Sequence, residues 1–595
     1  MAGNGQFLRV GTLDELKARG MIVVTGARPI LVCFHDGKIR ALDNRCPHLG
    51  FPLHRGSVKD GVLTCHWHHA RFDLASGCTF DLWADDVPSA VVELRGNEVW
   101  VANDCHFADE KTHWQNRLRE GMEQSISLII GKAVLGSLGA GCDPCELVRE
   151  AALFGARHRD GWASGMTIHT AMGNLLSSLP DEERYLALLA GISRVAADCV
   201  GQPPRRNRHA LDGGHVPLDQ LKRWMRDWTL VRHRDGAERT LLTAIAQGAT
   251  QPELTNFLAA AATDRFYADG GHALDFINKA FECLDLVGWK HAAEILPTVV
   301  RQLVAARGGE EMNAWRSPQD LVLLLNDAFR ELPSLLAGRV ARKSSVTDHQ
   351  FPVSNLAKEI LGDDPGQIVA ALKSAIVSGA HPADLSRALA YASALRITRF
   401  GSANEFGDWI TALHTFTYCN ALHQLFKRLY PNAESPILDP TPLRGVFHGA
   451  MSVYLDRFLN VPPARLPADN GESLDDLPSD ANELLKQFLA ALDSQQQINS
   501  AARLVARYLK LGHAPDPLIA TLTRAVLRED ADFHTFQMLE AGVQQYREWG
   551  NNAEGQHILI AVARYLAAHS PTQRAGYQTA TIALRLHRGQ KIYEE

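Results

Sequence analysis

Two short segments, Cys46-Pro-His48 and Cys65-His-Trp-His68, place a cysteine followed closely by a histidine on either side of a sixteen-residue stretch. This donor set constrains the chain more than any other feature, because paired Cys and His at such spacing make a metal centre. A structural zinc takes the same four donors, so residue type alone leaves zinc and an iron–sulfur cluster both open. Around the two segments, from Phe7 to Asn103, apolar residues come in short runs such as MIVVTG, ILVCFHDG, AVVELRG and EVWVAN. Turn chemistry separates them at His35-Asp-Gly37, Lys59-Asp-Gly61 and Arg95-Gly-Asn97. Many short strands with Gly and Asp turns predict a small antiparallel barrel or sandwich.

The wording around the donors, CPHLGFPLHRG and VLTCHWHHARFDLASG, resembles the Rieske [2Fe–2S] signature, and this flanking text weighs against zinc. The resemblance covers roughly the first 103 residues. It implies that Cys46 and Cys65 hold one iron, and that His48 and His68 hold the outer, more exposed one. Exchanging two anionic thiolates for neutral imidazoles removes negative charge and raises the potential above that of an all-cysteine cluster. His54, His66 and His69 are out of register with the motif and are assigned to the surface or to support of the ligands. Respiratory members of the family carry an extra cysteine in each loop, joined as a disulfide; Phe51 and Trp67 stand in those places here. Ala70 stands where that subgroup has a hydroxyl that bonds a cluster sulfur, and fewer such bonds imply a lower potential. By resemblance this is the ferredoxin or oxygenase kind, delivering single electrons received from an external donor such as a ferredoxin reductase.

After Asp104 the alternation stops, and Ala- and Leu-rich stretches with helical spacing take over, as in LTNFLAAAATDRF and ALAYASALRI. One turn recurs four times: Gly141-CDPCE-Leu147, Gly248-ATQPE-Leu254, Gly379-AHPAD-Leu385 and Gly512-HAPDP-Leu518. Gly closes one helix, and Pro with an acid opens the next. Because Cys142-Asp-Pro-Cys145 occupies this shared turn and no other copy has cysteine, it is read as decoration rather than as a redox pair. The expected fold is therefore multidomain: a small all-β domain over 1–104, then a large all-α region of four diverged helical repeats, two over 105–340 and two over 341–595. Breaks are expected near Lys343 and in the Pro- and Asp-rich stretch 460–480.

Each turn is followed by a helix and then by another expected to begin at a histidine: His169, His272, His414 and His534. Three copies add a second histidine, at His291, His448 and His557. Four equivalent helices converging on a bundle axis would make an iron site or axial haem ligands. Met172, Asp275 and Phe276, Tyr418, and Met538 stand next along the same face, so the histidines adjoin largely apolar positions, which predicts a dry pocket with few donors. RHALDGGH, with His209, Asp212 and His215, is a lesser candidate that reads as an exposed loop. The helices HALDFINKAF and HTFTYCNALHQLF resemble those of questin-oxidase-like helical enzymes, a likeness from which no residue is carried over.

Several classes of function fall away. The Asp/His/His pattern of the catalytic domain of ring-hydroxylating Rieske oxygenases is not found, nor is a Gly-x-Gly-x-x-Gly opening a helix. The mild net charge of −6 argues against nucleic acid or an anionic membrane as the main partner. No apolar run reaches a membrane span; the best, Ser125 to Gly141, is interrupted by Lys132. With few cysteines and no signal-like N-terminus, a cytoplasmic protein is expected. Two readings follow. In the first, an oxidoreductase passes electrons from a [2Fe–2S] cluster to an additional iron or haem in the helical region, acting with dioxygen on a small organic substrate. In the second, a Rieske carrier or redox sensor is joined to a helical platform that binds a protein partner.

Overall fold

The computed structural model describes residues 6–339, 351–432, 435–468, 472–590 and 592. The N-terminal part is built from nine strands in three three-stranded antiparallel sheets. β1 (Phe7–Thr12), β9 (Glu98–Ala102) and β8 (Val92–Arg95) form one; β2 (Met21–Thr25), β3 (Pro29–His35) and β4 (Lys38–Asp43) form the second. The third holds β5 (Ser57–Lys59), β6 (Val62–Thr64) and β7 (Arg71–Asp73).

The turn residues do what their chemistry requires. Asp36 and Gly37 between β3 and β4, and Asp60 and Gly61 between β5 and β6, all have positive φ, the conformation a two-residue hairpin needs to match strand twist. The Arg95–Glu98 hairpin uses the other solution, with Gly96 at φ +65°. Strand β3 feeds two cores by simple alternation: Ile30 and Val32 pack with Leu16, Val99 and Val101, while Leu31 and Cys33 pack with Leu53, Leu63 and Phe72. Cys46 and Cys65 belong to this second core.

This part is one compact unit with the chain up to Leu147 and the segment from Ala575 onward. Among the strands, α1 (Leu13–Arg19) links β1 to β2; the addition comprises α2 (Glu110–Gln124), α3 (Ser127–Gly139) and the C-terminal helix Ala575–His587, which packs on α3.

Val148–Arg574 forms a second compact unit, wholly helical among the described residues. All four recurring turns adopt one conformation: Gly141, Gly248, Gly379 and Gly512 lie at φ +79°, +81°, +86° and +75°. The helix after each opens at Pro144, Gln251, Pro382 and Pro515, as expected where Gly accepts a left-handed C-terminus and Pro pre-sets the first turn. The next long helices, Ser164–Leu175, His272–Val287, Phe406–Leu429 and Phe533–Trp549, pack as a closed ring, each against two of the others. His272 and His534 stand in the first turn of their helices, as expected, but His169 and His414 lie well inside theirs, because those helices begin earlier, at Ser164 and Phe406. The expected break near Lys343 lies outside the described residues. Among the described residues no helix is long and apolar enough to cross a membrane.

Candidate metal centres

The two N-terminal loops share one design. The Cys46 N–H donates to the Phe51 carbonyl at 2.7 Å, and the Cys65 N–H donates to the Ala70 carbonyl at 2.8 Å. Each loop turns through a left-handed corner at the residue before that acceptor: Gly50 at φ +86° and His69 at φ +63°. Glycine takes such a corner freely, and a non-glycine residue seldom does. The corner position accounts for His69 being out of register with the ligands. The His48 and His68 rings approach edge to face at 4.9 Å.

The site has the marks of a metal cradle. His48 Nδ1 is buried without a hydrogen-bond partner. Burial, then the Lys132 charge and His68, lower the His48 imidazole to about 4, leaving it in the neutral form that ligates. Besides the Cys46 contact, the N–H groups of Trp67 and His68 favour the Cys65 thiolate. The sulfurs are inside, His48 is half-buried and His68 is exposed. The donors therefore fit a cluster whose imidazole-bound iron faces outward. His54 is held by Asn44, and His66 Nε2 lies 2.9 Å from the Ser57 hydroxyl, away from ligand duty. Phe51 and Trp67 pack ring against ring at 5.8 Å.

A second centre lies in the helical unit. His272, His414 and His534 each offer a ring nitrogen within 4.8 Å of the others, and among the described residues this is the only such group of metal-binding side chains. The His414 and His534 Nε2 atoms are 2.9 Å apart. His534 Nδ1 lies 2.9 Å from an Asp532 carboxylate oxygen, so the N–H stands on that side and the Nε2 lone pair faces the cluster. Burial, then the neighbouring imidazoles, lowers His272 to about 4 and His414 to about 3, so both are neutral. Phe276 stacks on His272 at 5.0 Å, and Phe533 covers His534 at 3.8 Å.

Beneath the three histidines the expected apolar surround gives way to a polar file. Gln537 donates to Asp275; one turn further Lys279 bridges Glu540 and, at 2.7 Å, Glu282. Asn174 Nδ2 donates to both glutamates at 2.9 Å, and Gln544 to Glu282 at 3.2 Å. The polar residues recur one to three helical turns below His272 and His534, which keeps them on the bundle axis. The apolar expectation fails because Asp275 and Gln537, rather than Phe276 and Met538, take that inner line.

The other histidines do not join. His169 is buried and its Nε2 bonds the Val148 carbonyl at 2.8 Å, on a side where Gly191 leaves room for the ring. His291 pairs with Glu294 at 3.0 Å, His557 with the Tyr391 hydroxyl at 3.0 Å, and His448 lies between Phe266 and Phe329. His209, Asp212 and His215 are exposed.

Comparison with known proteins bears on the first centre. A family profile described as the Rieske [2Fe-2S] domain matches residues 6–88. A human Rieske domain-containing protein is 36% identical over 73 residues, 11% of this chain and 46% of that one. The ferredoxin component of biphenyl 2,3-dioxygenase from Rhodococcus jostii is 37% identical over 78 residues, 13% of this chain and 72% of that protein. The chain belongs to the Rieske [2Fe-2S] domain family. The Rieske domain binds a [2Fe–2S] cluster. The ferredoxin of carbazole 1,9a-dioxygenase from Nocardioides aromaticivorans aligns with a TM-score of 0.16 at 26% identity, over 17% of this chain and 99% of that one. The chain spans less than half the length of the first relatives, 46% and 13%.

Sequence reading missed the groups that act on the Rieske domain and the histidine trio from outside the motifs. Asp532 lies two residues before His534 and was open to recognition as its carboxylate partner. Lys132, on α3, carried no signal beyond interrupting an apolar run.

Proposed function

We propose that the chain is an oxidoreductase that takes up single electrons at its Rieske domain and uses them at an iron held by His272, His414 and His534, acting with dioxygen on a small organic substrate. Cys46 and Cys65 hold one iron of the cluster, and His48 and His68 hold the other. The observation that supports this reading is the trio of inward-facing imidazole nitrogens in the central helical ring. Three imidazoles suit a divalent first-row metal and leave coordination positions open. A bound iron supplies oxygen-activating chemistry there. Asp532 fixes the His534 ring in the tautomer that presents Nε2. Phe276 and Phe533 lie against the His272 and His534 rings.

Oxygen chemistry consumes protons, and Asp275 is placed to hold one. Burial raises its carboxyl to about 6, against the pull of Lys279 and the hydrogen bond from Gln537. Fusion of donor and acceptor in one chain raises the effective donor concentration at the second centre. An external reductase supplies the electrons. The similarity to oxygenase-system ferredoxin components supports a second reading, in which the chain is a carrier whose helical part is a protein-binding platform.

Metal analysis of the purified chain with EPR of the oxidised and reduced states separates the two. The first reading expects about three irons per chain, two with a Rieske signal and one outside it. About two irons and a Rieske signal alone would remove the internal site and leave the carrier.

A further inference from the structure

Lys132 interrupts the most apolar run of the sequence, and its side chain is buried, with 7% of the residue exposed. Its ammonium donates to the Pro47 carbonyl and, at 3.4 Å, to the His48 carbonyl. These carbonyls belong to the first ligand loop, between Cys46 and His48. Lysine is among the residues least often found buried, and a buried one has a charged partner. The acid whose charge acts most on Lys132 is Asp85. Burial alone would raise the Asp85 carboxyl, yet it is held below the ordinary carboxylate range by His113, Lys132 and Arg117 together. Arg117 Nε lies 3.0 Å from Asp85 Oδ1, and its Nη1 reaches Glu120. Burial lowers the Lys132 ammonium from its ordinary value and Arg117 adds to this, while Asp85 and the Cys46 sulfur act in the opposite direction and favour the charged form. Both Lys132, from α3, and Arg117, from α2, lie beyond the stretch that matches the Rieske family.

We propose that Lys132 is a positioning residue that raises the reduction potential of the [2Fe–2S] cluster and anchors its first ligand loop. This rests on the assignment of Cys46 and His48 as ligands. One-electron reduction, by an external donor, adds one negative charge to the cluster and breaks no bond. A fixed cation beside the ligand loop, in a medium that screens it weakly, stabilises the reduced state more than the oxidised one. Loss of the sulfur-directed hydroxyl, with Ala70 in its place, acts in the opposite direction. The helical addition thus sets how strongly the cluster gives up its electron, a property that the Rieske motif alone does not encode. A purely structural lysine would hold the loop without moving the potential, so the potential is the deciding readout.

The test is a spectroelectrochemical titration of the full-length holoprotein. Lys132→Met is expected to keep the oxidised visible spectrum while its reduction equilibrium becomes about tenfold less favourable, about 59 mV for a one-electron couple. Lys132→Arg should stay within about threefold of the parent, since the charge is kept. Asp85→Asn, which leaves Lys132 without its counter-charge, should move the potential upward. A Lys132→Met protein with an intact spectrum at the parent potential overturns the proposal. Should Lys132→Met fail to hold its cluster, Asp85→Asn decides, and an unchanged or lower potential there overturns it equally. Failure of the ligand assignment shows differently, as a Cys46→Ser protein that keeps the parent spectrum.

Discussion

The two candidate metal centres are built on opposite plans. In the Rieske domain all four proposed ligands sit in two loops of matching design, each closed by its own backbone hydrogen bond from Cys46 to Phe51 or from Cys65 to Ala70. In the helical unit the three histidines come from three separate helices, and His414 and His534, whose Nε2 atoms are 2.9 Å apart, are 120 residues apart in sequence. Local closure fixes the first geometry before the rest of the chain is considered. The second exists only when the ring of helices packs, and so it inherits its precision from the core. Substitutions at each centre should accordingly fail in different ways.

The largest effect is expected from Cys46→Ser. Losing a thiolate should remove the visible spectrum entirely while metal at the histidine trio persists, read by optical spectroscopy with elemental analysis. Loss of both together would mean that the centres are not independent. His414→Ala should do the converse, abolishing the non-Rieske metal with the cluster spectrum intact. His169→Ala provides the contrast within the repeat. It should leave metal content alone and cost about 1–3 kcal/mol in chemical denaturation, because a buried Val148 carbonyl loses its donor. Asp532→Asn should weaken metal binding at the trio by about 10–100-fold, the usual consequence of removing a carboxylate that orients a ligating imidazole.

The difference in plan also explains what could be read from the sequence. The ligand loops were legible because donors, corner residues and closing bonds lie within a few positions of one another, and the Asp-Gly turns announced the hairpins beside them. The repeat was legible through its Gly and Pro punctuation, whose conformation the four turns bear out. What periodicity could not supply was the phase of each helix about its axis. His169 and His414 both lie inside their helices, yet one faces Val148 and the other the trio. Nor could it show that Asp275, Gln537, Lys279 and Glu540 would share an inner line, since each looks like an ordinary surface residue until its partner helix is in place. Lys132 was invisible for the same reason, its role depending on a carbonyl more than eighty positions away.

Acid should distinguish the centres through the helical unit. An unfolded histidine takes up its proton near 6.5, but folded His272 does so only near 4 and His414 near 3, with burial the main cause. Between these values the unfolded chain binds more protons, so stability falls as pH is lowered through that window and is fully present above about 6.5. Metal-free protein should therefore lose helical structure, followed by circular dichroism in denaturant, more readily at pH 5 than at pH 7. Replacing His272 and His414 together by Gln should flatten this dependence. A dependence that survives the double substitution would locate the effect elsewhere.

The smallest effect concerns the aromatic pair between the ligand loops. Phe51 and Trp67 join the two ligand loops through ring contact at 5.8 Å and an interplanar angle of 38°. Trp67 also packs on the His68 ring at 4.3 Å. An aromatic pair of this kind contributes about 0.5–1.5 kcal/mol beyond its buried area, less than a covalent staple. A double-mutant cycle with Phe51→Leu and Trp67→Leu, read by the denaturant midpoint for cluster loss, should return a coupling of that size. It should leave the histidine trio's metal unchanged. A coupling near zero would mean that each loop holds itself closed through its own backbone bond, which is the stricter form of the local plan. A coupling as large as a disulfide's would mean that the two loops depend on each other, and the contrast with the helical centre would narrow accordingly.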